Sequence, residues 1–514
     1  MYQWIVVTSA CFSFLAAMGI GANDVANAYA TAIGSRALTM KQAVVLATIF
    51  ETSGALLMGS HVTKTIRKGI ADYECFEDDP GALMYGCMWV CLSVGLWLFL
   101  ASKYEMPVST THSCVGGMIG MTLALKGPRC VTWYEERDTF PYIGGVAGIV
   151  MSWVLSPIFS AIISSALYGA MRHFILRSSD SFNRTTYLFP SIIGSVVSLN
   201  AFFIIYKGAK GLGLDGTPLL TASVWSFGAG SLSALVIYPF TGRIRTAVTR
   251  RVAKRGETID LDNIWTEGGR TLEMSGVDVF SERTPVAQEK LGCCGSSARC
   301  ISDNLNVRLD DIISGDDGVA AIHNNAEEFE ERTEEYFKSL QVFTAMCDSF
   351  GHGANDVANA IGPFAAIYMI ARDAEVNSDN DLGDSAYWIL GMGGVGMSAG
   401  LLLYGYKIIH AIGLKLCKIT PSRGVAIELA SAVVVITGSR LGIPLSTTHC
   451  QVGATMGVAA LESPTTCSGI NCHVVGKTVV GWVVTLVVVG GTTALLTAQG
   501  AHAPEVGVYP CDDL

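Results

Sequence analysis

Asn23, Asp24 and Asn27 stand inside a long apolar stretch, and Asn355, Asp356 and Asn359 stand inside another. Both sets belong to one octapeptide, Gly-Ala-Asn-Asp-Val-Ala-Asn-Ala, written at Gly21–Ala28 and again at Gly353–Ala360. The two Asn of each copy are spaced i, i+4, so they share one helical face, with the Asp beside them. Carbonyl and carboxylate oxygens on such a face suit a hard cation such as sodium. Small neighbours (Gly21, Ala22, Ala26, Ala28) let another backbone come close. An ionisable group at membrane depth is costly and marks a functional site by default. A helix-packing motif with Asn as interhelical glue would not need an Asp, and would not need it twice.

A second polar element follows each octapeptide. Pro107-Val-Ser-Thr-Thr-His112 begins 86 residues after the first copy, and Pro444-Leu-Ser-Thr-Thr-His449 begins 91 residues after the second. Proline followed two residues later by Ser is a helix-start signal, with the hydroxyl at the cap. A helix N-terminus offers unpaired N–H groups and the positive end of the helix dipole, which is an anion site without Arg or Lys. Ser109, Thr110, Thr111, Ser446, Thr447 and Thr448 add hydroxyl donors suited to an oxyanion. Cation ligands facing anion donors imply one compartment in which the two charges neutralise each other. His112 and His449 invite a nucleophile-and-base reading. Their duplication and the lack of a G-x-S-x-G elbow argue against it, so no enzymatic activity is expected. Glu51 and Glu428, also in apolar stretches, are candidate coupling carboxylates; the plainer reading satisfies them locally through Thr52 or Ser431. His352 precedes the second octapeptide where Ile20 precedes the first.

The elements that must position these groups are membrane helices. Half of the residues are hydrophobic and 15% are charged, with a mean hydropathy of +0.42. Apolar stretches suited to spanning a bilayer lie near 4–33, 41–66, 84–101, 107–126, 142–171, 188–206, 217–241, 338–370, 386–413, 422–440, 443–461 and 474–499. The expected fold is an all-α polytopic membrane protein of about 12 transmembrane segments, in two inverted-topology repeats with broken or re-entrant helices at the Ser-Thr-Thr elements. Three parts are expected. Residues 1–241 form an N-terminal membrane half, with spans six and seven as an insertion. Residues 242–336 form a largely disordered cytoplasmic loop, and 337–514 a second membrane half. The net charge of −10 is local, because 256–336 holds 19 Asp/Glu against 6 Lys/Arg. Basic clusters around Arg172–Arg184, Arg243–Arg255 and Lys407–Lys418 place those loops in the cytoplasm and both termini outside. Cys75 and Cys130 then fall on outer loops, where pairing is open.

These residues carry a resemblance. Gly21–Ala28, Gly353–Ala360, Ile49-Phe-Glu-Thr-Ser-Gly54, Thr65-Ile-Arg-Lys-Gly-Ile70, Pro107–His112 and Pro444–His449 are similar to motifs of the inorganic phosphate transporter (PiT) family, most closely its eukaryotic sodium-coupled branch. Thr110 departs from a Gly common in animal members. The resemblance implies sodium-coupled phosphate symport by alternating access, with phosphate on Ser109, Thr110, Thr111, Ser446, Thr447 and Thr448. It implies sodium on Asn23, Asp24, Asn27, Asn355, Asp356 and Asn359, with Glu51 and Glu428 assisting. The alternatives are proton coupling, or a passive anion channel or exporter. No cofactor is expected beyond the co-transported sodium. The expected partners are phosphate, sodium and the lipid bilayer, with no nucleic acid; a homodimer is permitted by the sequence but not required. The expected location is the plasma membrane.

Overall fold

The computed structural model describes residues 3–138, 142–206, 214, 216–268, 313, 315–376, 386–462 and 469–502. The disorder expected of the central loop falls mainly on 269–312, outside the described residues. The described chain is helical apart from a short hairpin, β1 (Glu135–Glu136) and β2 (Ile143–Gly144).

In the N-terminal half, α1 (Gln3–Ile20) runs into a π-helical turn at Gly21–Val25 and continues as α2 (Ala26–Gly34). A capping box formed by Thr39 and Gln42 starts α3 (Met40–Met58), and α4 (Ser60–Lys68) follows it. Asp79 accepts from the Ala82 N–H and Pro80 occupies the first turn, which together start α5 (Pro80–Lys103). After it come α6 (Thr110–Leu125), α7 (Gly145–Met171), α8 (Ser181–Ile205), α9 (Leu219–Ile237) and α10 (Thr241–Gly268). A short α11 (Asp317–Asn325) leads to α12 (Glu331–Asp373), an uninterrupted helix of 43 residues. The last helices are α13 (Tyr387–Tyr404), α14 (Tyr406–Gly413), α15 (Pro421–Arg440), α16 (Thr447–Glu462) and α17 (Cys472–Ala501).

Eight segments among the described residues are long and apolar enough to cross a bilayer. The other four of the twelve expected stretches differ for identifiable reasons. Helices α6 and α16 have 16 residues each, roughly 24 Å at 1.5 Å per residue, short of a hydrocarbon core of about 30 Å. They are the expected half-helices that begin at the Ser-Thr-Thr elements. The stretch 41–66 is split at Gly59 into α3 and α4. The stretch 338–370 lies within α12, where buried Asp348, His352, Asn355, Asp356 and Asn359 interrupt the apolar residues. Within the span expected as a loop, residues 242–268, 317–325 and 331–336 are helical, and Val319 and Ile322 are buried.

The packing has the exchange of partners that a pseudo-two-fold produces. Helix α1 lies against α5 and α13, and its counterpart α12 lies against α15 and α3. Helix α6 of the first half packs on α17 of the second, and α16 of the second packs on α7 of the first. The unmatched α8 and α9 pack on each other. Close contact between the halves needs glycine at two equivalent positions. A Cβ on Gly21 would stand 1.7 Å from the Met397 carbonyl oxygen, and one on Gly353 would stand 2.2 Å from that of Glu51. At the opposite rim from the α10 arginines, Cys75 and Cys130 form a disulfide with Cα atoms 6.0 Å apart. Backbone pairing supports it on both sides, Asp72 N–H to Cys130 O and Thr132 N–H to Ile70 O, each 2.9 Å.

Candidate functional site

Both octapeptides and both Ser-Thr-Thr elements meet at the centre of this arrangement. Asp24, His352 and Asp356 offer ligand atoms that all lie within 4.8 Å of one another. Every Asn and Asp of the two octapeptides, and every Ser and Thr of the two Ser-Thr-Thr runs, is 4% exposed or less. The cluster is buried from solvent.

The first Asn of each octapeptide fastens its helix to the lead-in of its own half-helix. Asn23 Nδ2 donates to the Met106 carbonyl (3.0 Å) and to Ser102 Oγ (3.0 Å), while its Oδ1 accepts from the Val108 N–H (3.0 Å). Asn355 Nδ2 donates to the Leu445 carbonyl at 2.9 Å, and its Oδ1 accepts from Ser439 Oγ at 3.3 Å. Ser109 and Ser446 cap the half-helices, each accepting at 3.3 Å from the backbone N–H of the His three residues on. The half-helices then lock across the two halves. Thr111 Oγ1 donates to the Leu445 carbonyl at 2.8 Å, and Thr448 Oγ1 lies 3.2 Å from the Val108 carbonyl, the equivalent contact.

The second Asn of each copy is also used symmetrically. Asn27 Nδ2 donates to Asp24 (2.8 Å) and to Thr448 of the other half (3.2 Å). Asn359 Nδ2 donates to Asp356 (3.1 Å) and to Thr110 and Thr111 of the other half (3.2 Å each). Asn27 Oδ1 and Asn359 Oδ1 are buried and accept no hydrogen bond. The carboxylates break the symmetry. Asp24 accepts from the Thr110 N–H of its own half (3.3 Å) and from the Thr448 hydroxyl of the other. Asp356 accepts from Thr447 of its own half at 2.5 Å and lies 2.9 Å from His352 Nε2.

His352 reaches beyond the octapeptide. Its Nδ1 is 2.9 Å from Glu51 Oε2, and Ser349 donates to Glu51 Oε1 at 2.9 Å. Glu428 accepts from Thr31 (2.5 Å), Thr344 (2.5 Å) and Gln341 (3.1 Å). The local partners expected from sequence, Thr52 and Ser431, are therefore not the ones used. A side chain one residue along a helix points about 100° away, so Thr52 cannot face the groups that Glu51 faces. Asp348, Ser349, Thr344 and Gln341 were not recognised from sequence as part of this region. Their signal was the spacing Gln341, Thr344, Asp348, His352, Asp356, one polar stripe along α12.

His112 and His449 lie just behind the half-helix starts, with ring centroids 4.8 Å apart. His112 packs edge-on to Trp153, His449 packs against Trp482, and His449 Nδ1 lies 2.9 Å from the Trp153 carbonyl oxygen. Neither ring is held by a Ser hydroxyl; the Ser109 and Ser446 oxygens are taken up by the caps.

A charged network closes the rim from which α10 starts. Glu327 accepts from Arg172 and from Arg177, with Arg177 Nε at 2.8 Å. The Arg177 guanidinium holds the Glu327 carboxyl below the usual carboxylate range. Arg423, 1% exposed, donates to the Glu327 carbonyl at 2.7 Å and pairs with Glu462 at 3.0 Å.

Buried polar side chains and helix starts converge here at the middle of an inverted helical repeat, the arrangement in which transporter folds build their binding sites. The chain matches the phosphate transporter family over residues 20–493, and it belongs to that family. It is 29% identical to the phosphate-repressible phosphate permease pho-4 of Neurospora crassa, over 98% of this chain and 99% of that one. It is 26% identical to sodium-dependent phosphate transporter 1 of Rattus norvegicus, over 97% and 95%. A solved structure described as the sodium-dependent phosphate transporter superposes with a TM-score of 0.69 at 28% identity, covering 96% of this chain and 98% of that one.

Proposed function

We propose that this member of the phosphate transporter family is a sodium-coupled symporter that carries inorganic phosphate by alternating access. The observation that carries the proposal is the placement of Asp24 and Asp356, from opposite halves, in one buried cluster with both half-helix starts. Two carboxylates this close and out of water cannot both stay charged without a cation or a shared proton between them. The paired carbonyl oxygens of Asn27 and Asn359, which accept no hydrogen bond, are suitable sodium ligands beside them. With sodium on Asn23, Asp24, Asn27, Asn355, Asp356 and Asn359, the hydroxyls of Thr447 and Thr448 are released from the carboxylates. Together with Ser109, Thr110, Thr111 and Ser446 they then face the oxyanion. In this reading cation binding creates the anion site, and that dependence is the coupling.

The test is uptake of radiolabelled phosphate into proteoliposomes under an inward sodium gradient. Uptake depends on sodium and falls to background in Asp24→Asn and in Asp356→Asn. Full uptake in both variants refutes the assignment. The contact of His352 with both Glu51 and Asp356 supports a second reading, in which protons replace sodium. Accumulation driven by a pH gradient without sodium would favour it. The Cys75–Cys130 bridge, which suits an oxidising compartment, supports a plasma-membrane orientation with that rim outside.

A further inference from the structure

A cavity of about 440 Å³ lies between α8, α10 and α12, away from the octapeptide cluster. Its walls are apolar over most of their length, with Phe189 and Ile193 from α8, Ile244 and Val248 from α10, and Leu340 and Phe343 from α12. At one end the lining changes to Arg251 and Glu335. Positive charge is in excess there. Glu335, 5% exposed, is faced by Lys338 at 2.7 Å, Arg255 at 3.3 Å and Arg251 at 3.9 Å. Arg255 also meets Glu331 at 3.1 Å, so three cations share two carboxylates. Arg251 is the most loosely engaged, at the longest distance and 69% exposed. Arg243 and Arg245, on the same helix, instead lie over the rings of Phe240 and Phe182.

We propose that this cavity binds one anionic phospholipid, with an acyl chain between α8, α10 and α12 and the phosphate headgroup at Arg251. A small free anion would leave the apolar walls bare, and a neutral lipid would leave the excess charge unmatched. Basic side chains just beyond a membrane helix attract anionic lipid, and here the basic group opens onto a slot that fits a chain. The lipid braces the unmatched α8–α9 pair against α12, the helix that carries the second octapeptide. The site therefore couples membrane composition to the transport helix. This rests on the membrane fold and not on the identity of the coupling ion.

The experiment uses the full chain reconstituted with phosphatidylcholine alone or mixed with phosphatidylserine, with retained lipid read by native mass spectrometry and stability by thermal melting. The parent protein retains phosphatidylserine selectively and melts higher in the mixture. Arg251→Gln lowers that selectivity about fivefold, the contribution of one basic group at an anionic surface. Ala247→Trp, which fills the cavity from α10, abolishes retention, and Ile193→Phe does so from the opposite wall if the first variant folds poorly. Arg243→Gln, outside the cavity, retains lipid like the parent. Equal losses in Arg243→Gln and Arg251→Gln would show diffuse surface attraction and overturn the proposal. So would phosphatidylserine retained by a folded cavity-filled variant, or phosphatidylcholine retained as well as phosphatidylserine.

Discussion

Thr448→Val tests the way the two halves are joined. The hydroxyl of Thr448 bonds to Asp24, accepts from Asn27 at 3.2 Å and lies 3.2 Å from the Val108 carbonyl, all in the opposite half. Valine keeps the branched shape but removes the polar atom. A hydrogen bond to a charged group contributes about 1.5–3 kcal/mol and a neutral one about 1 kcal/mol. The combined loss is roughly 3 kcal/mol, or about 150-fold in the population of the closed cluster. Thr111→Val is the pseudo-symmetric change, but Thr111 bonds only to neutral groups, donating to Leu445 O at 2.8 Å and accepting from Asn359 at 3.2 Å. Its cost is about 2 kcal/mol, roughly 30-fold. Thr122→Val is the control, because Thr122 donates within its own helix to the Met118 carbonyl and holds nothing across the halves. Initial rates of sodium-driven phosphate uptake in proteoliposomes, normalised to protein, should rank Thr122→Val, Thr111→Val, Thr448→Val in falling order. A Thr448→Val rate within twofold of the parent, or a larger loss in Thr111→Val, would refute the asymmetric lock.

Three further outcomes rest on other features. Gly353→Ala places a methyl group 2.2 Å from the Glu51 carbonyl oxygen and should cost about 1–3 kcal/mol of overpacking; an unchanged melting temperature would count against that close approach. The Cys75–Cys130 bridge closes a separation of 55 residues, so Cys75→Ser or a reductant should remove about 2–4 kcal/mol, read as a lower thermal midpoint in the parent and no reductant effect in the variant. Glu327 has a depressed folded-state pKa through Arg177 and Arg172, so its contribution is present above the unfolded carboxylate value and lost as pH falls through the lower folded one. Acidification from neutral pH should therefore lower the melting point of the parent more than that of Glu327→Gln, and parallel curves would remove the network from the stability of that rim.

The membrane class, the repeat and the central cluster were legible because the same eight residues recur in apolar surroundings, and few physical roles need buried Asn and Asp twice. The half-helices were legible from Pro107 and Pro444, followed by cap residues. A strict test of helix length and hydropathy leaves aside α6 and α16, which are too short, and α12, whose Asp348, His352 and Asp356 lower its apolar character; the duplicated motifs are what mark them. The partners of Glu51 and Glu428 were not legible. They come from helices distant in sequence, and Thr31 to Glu428 spans 397 positions. Thr52 was a poor guide, because a helix turns adjacent side chains to different faces; Ser431, three residues from Glu428 and on its face, is bypassed for hydroxyls and an amide of two other helices. The different surroundings of the two octapeptides were legible in one position, where His352 stands before the second copy and Ile20 before the first.

The two letter-for-letter duplicates in this chain stand on different backbones. The first octapeptide begins on a π-turn, whereas the second lies on an unbroken α-helix. A π-turn widens the helical ring and rotates the next turn away from its α-helical direction. The same side-chain atoms are thus carried by an i→i+5 turn in one copy and by i→i+4 turns in the other. In the proposed sodium mechanism the two unlike mounts give unequal affinities, so loading has an order: a stepwise sodium titration is its signature, and a single symmetric isotherm would show that the backbones adjust until the copies are alike.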